Sequence, residues 1–353
     1  MSNEKLVMFP TQDTKQTEEP KEVLSLEPLK LHTLIERSNE IQARCSDYMI
    51  RGVNETNARF MEDFSLRYLE ENGSLRNPMM TQYSLGQLCT KIGVPTQYIL
   101  KCFNTGRVDL ALENVNDWLS DYNSNLFIRE YDGKVRGVLS DRFAVCDTPD
   151  ILEVVDDVLN LNKFRIKGSF MNEERLHLRL VEKTMLPIDG EDLFCGMTID
   201  SSDVGRSRLL VSFFIWKQVC TNGLCVSQGS GQLFSQKHVG ITAEDFQSGL
   251  IDAMHKYDIM CDTVTDHIKK CQNQKTMVSK RMSSETLEMM IAQIKTNTRL
   301  SDEGAKKVIT LMTDGTYSNS KWGMINAITQ VAQDYTLERR IELEKIAGSL
   351  LIA

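Results

Sequence analysis

The sequence predicts an α+β protein, in which a central, mostly antiparallel sheet with an inserted helix is flanked by N-terminal helices and a helical C-terminal third. Between residues 123 and 235 the apolar residues alternate with a period of two, whereas on both sides of this region they recur with the period of a helix. The apolar run 209–219 is rich in β-branched and aromatic residues on both alternate faces, which predicts a strand buried on both sides. Asn222-Gly223 follows this run and favours a two-residue turn. We therefore expect a buried central hairpin.

The chain divides into four predicted regions. They are a polar disordered tail over residues 1–26, an N-terminal helical region over 27–122, the sheet core over 123–235 with its inserted helix at 149–161, and a C-terminal helical region over 236–353. In the N-terminal region, apolar spacing predicts a helix near residue 31, a short strand over 48–53, a helix through Phe60 and Leu69, and three short helices over 83–119.

The turn dipeptides of the middle region place its strands. Asp132-Gly133 is a strong hairpin signal, Thr148-Pro149 opens a helix, and Asn172-Glu173 separates a second strand pair. The predicted strands are 126–131, 134–139, 164–170, 176–181 and 194–199, followed by the central strand. The predicted C-terminal helices are 242–271, 283–297, 301–313, 320–332 and 336–351.

Composition excludes several classes of protein. With 353 residues, 41% hydrophobic and 25% charged, the chain is typical of a globular protein, and no apolar stretch is long enough to span a membrane. The N-terminus lacks the pattern of a signal peptide, so we expect a cytoplasmic protein. A net charge of −8 argues against coating DNA by bulk positive charge but permits a local basic groove. The nine cysteines are expected to be mainly buried thiols.

No motif predicts catalysis, a metal or a cofactor. The close metal-ligand pairs Cys220/Cys225 and His267/Cys271 lack the second pair that structural zinc requires. Cys220 is conceivable as a nucleophile activated by His177 or His238, but no recognisable nucleophile motif surrounds it. Gly-rich phosphate-binding motifs are also missing. We therefore expect no cofactor, no metal site and no enzymatic activity.

The strongest candidate site is a basic face of the sheet. Cations are dense between residues 126 and 217, and cations two residues apart on a strand share one face. Positive charge interleaved with aromatics is how single-stranded nucleic acid is held. The predicted contacts are Arg136, Arg142, Arg165, Lys167, Arg175, Arg179, Arg206 and Arg208. The alternative is an ordinary solvated face, on which such residues also point outward.

Three loops at strand ends, 140–142, 201–208 and 221–223, are the places where a site is most readily built. We single out Ser140, Asp141, Asn222 and Gly223 in them, although Asn222 and Gly223 are also explained by turn formation alone.

Two other functions stay open. A protein-interaction module is suggested by the acidic total charge and the methionine-rich helices. Those methionines are Met254, Met260, Met277, Met282, Met289 and Met290. Core packing explains them equally well, and homo-oligomers are compatible with the sequence. A hydrolase or nuclease using acidic residues is the third reading, but no carboxylate cluster has a recognisable spacing.

Four segments carry a family resemblance. They read RGVLSDRF from Arg136, TIDSSDVG from Thr198, CTNG from Cys220 and KWGMINAIT from Lys321. Together they resemble the phage- and plasmid-like proteins of domain-of-unknown-function family 932, over about residues 80–350. This chain has Asp200 where that family commonly has an asparagine. The resemblance implies an origin in mobile genetic elements of a bacterial host cell and supplies no catalytic residues. With that origin, a protein-interaction module would be, for instance, a counter-defence factor that blocks a host protein. A sheet with an inserted helix also resembles, at fold level, phage single-strand annealing proteins of the RecT and Red-beta kind.

Overall fold

The computed structural model describes residues 23–70, 72–159, 162–188, 192–217, 222–226, 231–279 and 281–352. Its first elements are β1 (Val23–Leu29), α1 (Leu31–Gln42), β2 (Cys45–Ile50), β3 (Arg59–Phe60), β4 (Leu66–Leu69), β5 (Leu75–Arg76), β6 (Met79–Met80), α2 (Gln82–Ile92), α3 (Thr96–Asn104) and α4 (Val108–Ser120). The middle elements are β7 (Leu126–Tyr131), β8 (Lys134–Leu139), α5 (Thr148–Val158), β9 (Phe164–Met171), β10 (Leu176–Met185), β11 (Leu193–Ser201), β12 (Leu209–Lys217), β13 (Asn222–Val226) and β14 (Gln232–Gln236). The last helices are α6 (Ala243–Asn273), α7 (Ser284–Thr298), α8 (Asp302–Thr313), α9 (Lys321–Ala332) and α10 (Leu337–Ile352). The predicted α+β class is confirmed.

The larger sheet is antiparallel and has the order β1-β9-β10-β11-β12-β13, with β14 also paired to β12. Its central strand β12 is buried on both faces, as predicted. Val211, Phe213 and Ile215 belong to the main apolar core with α5 and α6, while Phe214 and Trp216 pack in a small cluster on the opposite face. Helix α10 lies against that opposite face, where its Glu344 contacts a side chain of β10.

A second, smaller core forms around the first part of the chain. The sheet β2-β7-β8-β6 packs with α2, α3 and α4, and a three-stranded sheet, β3-β4-β5, adjoins it. The β7–β8 hairpin turns at Asp132 and Gly133, whose φ angles of 49° and 70° suit a tight primed turn. The hairpin is therefore where we predicted it, but it pairs with β2 rather than with the larger sheet. The predicted sheet core over 123–235 is divided between two sheets.

Three further predictions are corrected by the structure. The helix predicted through Phe60 and Leu69 is wrong, because the left-handed backbone at Phe64 (φ 63°) breaks it into the strands β3 and β4. The N-terminal region is consequently mixed rather than helical. Residues 23–26, predicted as part of the tail, belong to β1, and residues 1–22 lie outside the described residues.

Asn222 and Gly223 are not the turn of the central hairpin. They open β13, where Asn222 lies opposite Lys217 and Gly223 opposite Trp216. The antiparallel return predicted for this segment is confirmed. Residues 218–221, including the candidate nucleophile Cys220, lie outside the described residues.

The inserted helix and the five C-terminal helices agree with their predicted positions. Four of these helices start at hydroxyl caps: Thr242, Ser283, Ser301 and Ser320 each accept a hydrogen bond from the backbone N–H three residues on. Such caps and the apolar period are local signals, which is why these boundaries were predictable. Among the described residues, no helix has both the length and the apolar character needed to cross a membrane.

Candidate functional site

The loop from β11 to β12, residues 202–208, lies between three adjoining cavities of about 810, 600 and 380 Å³. Arg206 lines all three, and Tyr83, Lys91 and Arg208 each line two. We call the three cavities together the cationic cleft. The cations that line it are Lys91, Arg175, Arg206, Arg208, Lys237 and Lys345.

The start of this loop is held by the β9–β10 hairpin. Ser202 Oγ donates to the carbonyl oxygen of Glu174 at 2.8 Å, and the backbone N–H of Asp203 donates to the same oxygen at 3.0 Å. Ser202 Oγ also accepts from the backbone N–H of Arg206 at 2.9 Å. The left-handed Gly205 (φ 73°) then turns the chain, so residues 205–208 are exposed on a fixed base.

Helix α2 forms the opposite wall and is fastened to the loop by Gln87. The Gln87 amide donates to the carbonyl oxygen of Val204 at 2.9 Å and accepts from the backbone N–H of Val138 at 2.8 Å. Val204 in turn packs so closely on Gly137 that a Cβ there would lie 3.2 Å from its side chain. The wall and the loop are therefore fixed in position relative to one another.

The charge of the cleft is predominantly positive. Arg206 pairs with Glu174 at 3.1 Å, and burial raises the pKa of that glutamate. In the part of the chain that the structure describes, Arg208 and Lys237 have no acidic partner. Burial lowers the pKa of Lys91, although Asp141 acts in the opposite direction. Uncompensated cations in a shared cleft attract anions.

Two aromatic rings lie among these cations. The guanidinium carbon of Arg206 is 4.5 Å from the centroid of the Tyr83 ring, a cation–π contact. Phe143 lines the smallest cavity, where its ring is stacked on His238 with the centroids 5.3 Å apart.

Three of the eight predicted contact residues, Arg175, Arg206 and Arg208, are brought together in the cleft. Arg175 also lies over the ring of Phe170, its guanidinium carbon 5.6 Å from the centroid. Arg142 is exposed on the neighbouring loop. Of the singled-out loop residues, Ser140 lines the cleft and Asp141 accepts from the side chain of Asn125 at 2.9 Å.

Arg165 and Lys167 lie elsewhere, on β9. The guanidinium carbon of Arg165 is 4.9 Å from the centroid of the Phe194 ring. Burial, and secondly the charge of Arg165, lower the pKa of Lys167. These two cations form a patch of their own on the larger sheet.

The last two predicted contacts, Arg136 and Arg179, are corrected by the structure, because both are buried and cannot touch a surface ligand. Arg136 is 1% exposed; it donates to the carbonyl oxygen of Glu173, and its Nη1 lies 3.8 Å from Asp203 Oδ2. Arg179 pairs with Glu344 under α10. The eight cations thus do not form one stripe, since α10 covers Arg179, and Arg136 lies in the second sheet, where it is buried against the β9–β10 hairpin.

A buried ion cluster lies behind the loop, and sequence reasoning missed it. Arg129 is bidentate to Asp47, at 2.9 and 3.0 Å, and to Asp147, at 2.6 and 2.5 Å. It also donates to the backbone carbonyl of Asp203 at 2.7 Å. The aspartates come from different parts of the chain, and the one local signal was Asp147 preceding Thr148-Pro149, which is typical of a helix cap.

Two histidines have polar partners near the cleft. His177 Nδ1 lies 2.7 Å from Asp200 Oδ1, and although burial acts to raise the pKa of Asp200, His177 holds it down at about 2. Ser201 Oγ lies 3.3 Å from His238 Nε2. Among the described residues, His238 Nδ1 has no hydrogen-bond partner, so no third group there orients the pair. Burial lowers the pKa of His238.

Neither metal ligands nor an extensive methionine surface stand out. Among the described residues, no three His, Cys, Asp or Glu side chains cluster as a metal site would require. Met277 and Met289 are 57% and 50% exposed, whereas Met290 is buried and Met254, Met260 and Met282 are half-buried. Core packing therefore accounts for most of these methionines, and an interaction surface stays a prediction.

One comparison with known proteins gives a match. A family described as a domain of unknown function, DUF932, matches residues 135–348. This stretch runs from β8 into α10 and includes loop 202–208, but it leaves out α2 with Tyr83 and Lys91. No curated protein and no solved structure matches the chain. Since the matched residues are more than half of the sequence, and agree with the resemblance seen in its motifs, the chain belongs to the DUF932 family.

Proposed function

We propose that this is a non-enzymatic protein that binds single-stranded nucleic acid in the cationic cleft. One observation carries the proposal: Arg206 joins three cavities whose walls hold five further cations. A single phosphate would need one pocket, whereas charges distributed along adjoining cavities suit a chain of phosphates.

The aromatic rings favour a single strand over a duplex. Tyr83 lines the two larger cavities of the cleft and Phe143 the smallest, so each of the three cavities has an aromatic ring in its wall. Base stacking on aromatic side chains is the sequence-tolerant mode of single-strand binding. A duplex, in contrast, is read by an element inserted into a groove, and the loop is short and closely held at its base.

The overall charge supports a localised site. The chain carries a net charge of −8, which disfavours binding of phosphate by overall charge, whereas the cations of the cleft supply attraction locally. The resemblance to phage and plasmid proteins suggests the setting: we propose an accessory role in replication or recombination of a mobile element, in the bacterial cytoplasm. That role would apply where single strands are exposed.

The test is fluorescence anisotropy with a labelled 20-mer of deoxythymidine at several salt concentrations. We expect micromolar or tighter binding at low salt, weakened by roughly ten-fold or more between 50 and 200 mM salt because bound cations are released. The double variant Arg206→Ala/Arg208→Ala should lose roughly ten-fold or more in affinity.

A matched control removes two exposed arginines that do not line the cleft. Arg59 and Arg67 lie opposite each other on β3 and β4. The variant Arg59→Ala/Arg67→Ala changes the net charge equally and should bind like the wild type. Equal losses in both double variants, or no binding by the wild type at low salt, would refute the proposal.

A further inference from the structure

We propose that nucleic-acid binding in the cationic cleft is coupled to the uptake of one proton by the carboxyl group of Asp203, so that the ligand is held more tightly as the pH falls. This inference rests on the proposed function and names a regulation of the same site. It is carried by the buried ion cluster behind the loop.

The cluster has fewer cations than carboxylates. Two guanidinium groups, Arg129 and Arg136, meet three carboxyl groups, Asp47, Asp147 and Asp203. With all three carboxyl groups ionised the net charge is −1, and one added proton makes the cluster neutral. Both guanidinium groups are buried, as are Asp147 and Asp203, so this imbalance is poorly screened by water.

Asp203 is the member that is least well paired. The side chain of Arg129 donates to the carboxylates of Asp47 and Asp147 and to the backbone carbonyl of Asp203, but not to the Asp203 carboxylate. The nearest cation to the Asp203 carboxylate is Arg136, at 3.8 Å, and its hydrogen bonds come from the hydroxyl and N–H of Thr148, at 3.0 and 3.2 Å. Burial, followed by the charge of Asp147, raises the pKa of Asp203 to about 7.

Five other titratable groups face the cluster: Cys45, Cys146, His238, Glu174 and Asp150, whose side chain accepts from the backbone N–H of Asp147 at 2.8 Å. Burial raises the pKa of the Cys45 thiol to about 11 and that of Cys146 to about 12, so both stay neutral. Burial lowers the pKa of His238, which favours its neutral form. Glu174, which faces Arg136 from the β9–β10 hairpin, has a raised pKa but keeps its ion pair with Arg206.

Asp203 is directly connected to the cleft. It is three residues before Arg206 in the same loop. The backbone N–H of Asp203 and the hydroxyl of Ser202 both donate to the carbonyl oxygen of Glu174, and the Ser202 hydroxyl accepts from the backbone N–H of Arg206. A phosphate held by Arg206 and Arg208 therefore brings negative charge close to Asp203. This charge favours the protonated carboxyl group, and by linkage the protonated carboxyl group favours the phosphate.

The experiment measures the Kd for the labelled 20-mer of deoxythymidine between pH 6.5 and 8.5, at constant ionic strength. For the wild type we expect Kd to rise roughly five-fold across this range, as a typical coupling between two sites would produce. For Asp203→Asn, which cannot ionise, Kd should stay constant. Thr148→Val removes one hydrogen bond to the ionised carboxylate, so the midpoint of the change should move to higher pH.

The outcomes separate this inference from the proposed function. Failure of wild type and variants to bind at any pH would overturn the proposed function, and the coupling with it. Binding whose pH dependence is the same in the wild type, Asp203→Asn and Thr148→Val would leave the function standing and overturn the coupling. Should Asp203→Asn fail to fold, the shifted midpoint of Thr148→Val decides the question alone.

Discussion

Arg179 and Glu344 form a fully buried ion pair, with Nη2 of the arginine 2.9 Å from Oε2 of the glutamate. The pair joins β10 to α10 across 165 residues of sequence. Arg340 donates to the other oxygen of Glu344 at 3.0 Å, so one carboxylate faces two guanidinium groups. The contact fixes the last helix on the face of the sheet where a nucleic-acid stripe was predicted.

Replacing Glu344 with alanine should destabilise the fold strongly. The substitution leaves Arg179 and Arg340 buried without the carboxylate that they share. Loss of one partner from a buried ion pair costs about 3–5 kcal/mol. The measurement is the free energy of unfolding from urea titration, followed by circular dichroism.

Glu342→Ala is the matched control on the same helix. Glu342 is 45% exposed and pairs with Arg339, so its loss should cost less than about 1 kcal/mol. Similar losses for Glu342→Ala and Glu344→Ala would show that burial does not govern the contribution of Glu344.

The ring of Tyr83 should contribute to binding through stacking. Tyr83→Ala removes the ring from both large cavities and takes away the surface on which Arg206 lies. Stacking of a base on an aromatic side chain is worth about 1–3 kcal/mol, so the Kd for a single strand should rise roughly ten-fold. The measurement is anisotropy with the 20-mer at low salt.

Tyr83→Phe separates the ring from its hydroxyl group. Within the described part of the chain, the hydroxyl oxygen accepts one long hydrogen bond, 3.3 Å, from the Gln87 amide. The variant should therefore bind within roughly two-fold of the wild type, because every base stacks on a phenyl ring as well. If the phenylalanine variant were as weak as the alanine variant, hydrogen bonding rather than stacking would be the contribution of Tyr83.

Asp203 should also make stability depend on pH in the absence of ligand. Its pKa is raised from 3.8 in the unfolded chain to about 7 in the folded state, so the folded state binds more protons between these values. The stabilising contribution is complete below about pH 4 and is lost as the pH rises through 7. The free energy of unfolding of Asp203→Asn, relative to the wild type, should accordingly increase between pH 4 and pH 8.

Urea titrations of both proteins at pH 5, 6, 7 and 8 check this dependence. The difference between the variant and the wild type, rather than either curve alone, isolates Asp203 from other titrating groups. A constant difference across these pH values would mean that the Asp203 carboxyl group stays ionised in the folded state throughout.

The parts of the fold that follow from local signals were predictable from the sequence. The caps at Thr242, Ser283 and Ser301 and the turn at Asp132-Gly133 each involve residues within a few positions of one another. The sheet to which the β7–β8 hairpin belongs was not predictable in this way. The hairpin pairs with β2, which is about 80 residues away in the sequence. An alternating pattern predicts that a segment is a strand but does not say which distant strand it pairs with.

The candidate site was predictable only in part, for the same reason. Loop 201–208 was singled out as a strand-end loop, and Arg175, Arg206 and Arg208 were among the predicted cations. Lys91 and Lys345 come from α2 and α10, which only the tertiary fold brings to that loop. The prediction of Arg136 and Arg179 as surface contacts was wrong, because both are buried. The alternating pattern indicates on which face of a strand a side chain lies, but not whether another element covers that face.

Gly196 should tolerate no side chain, because two strands of the larger sheet approach each other closely there. A Cβ at Gly196 in β11 would lie 2.2 Å from the carbonyl oxygen of Leu180 and 3.1 Å from the ring of Phe214. The first contact is with backbone that is part of the sheet ladder and cannot move aside independently. Gly196→Ala should therefore lower the free energy of unfolding by about 1–3 kcal/mol or more.

Gly86→Ala in α2 is the informative counterpart. A Cβ there meets only Thr96 Oγ1, at the ordinary distance of 3.9 Å. Because alanine has a higher helix propensity than glycine, this variant should be up to about 1 kcal/mol more stable than the wild type. If the free energy of unfolding falls for Gly196→Ala and rises for Gly86→Ala in urea titrations, the loss at Gly196 is due to close packing. A comparable loss in both variants would mean that the fold is sensitive to added methyl groups in general.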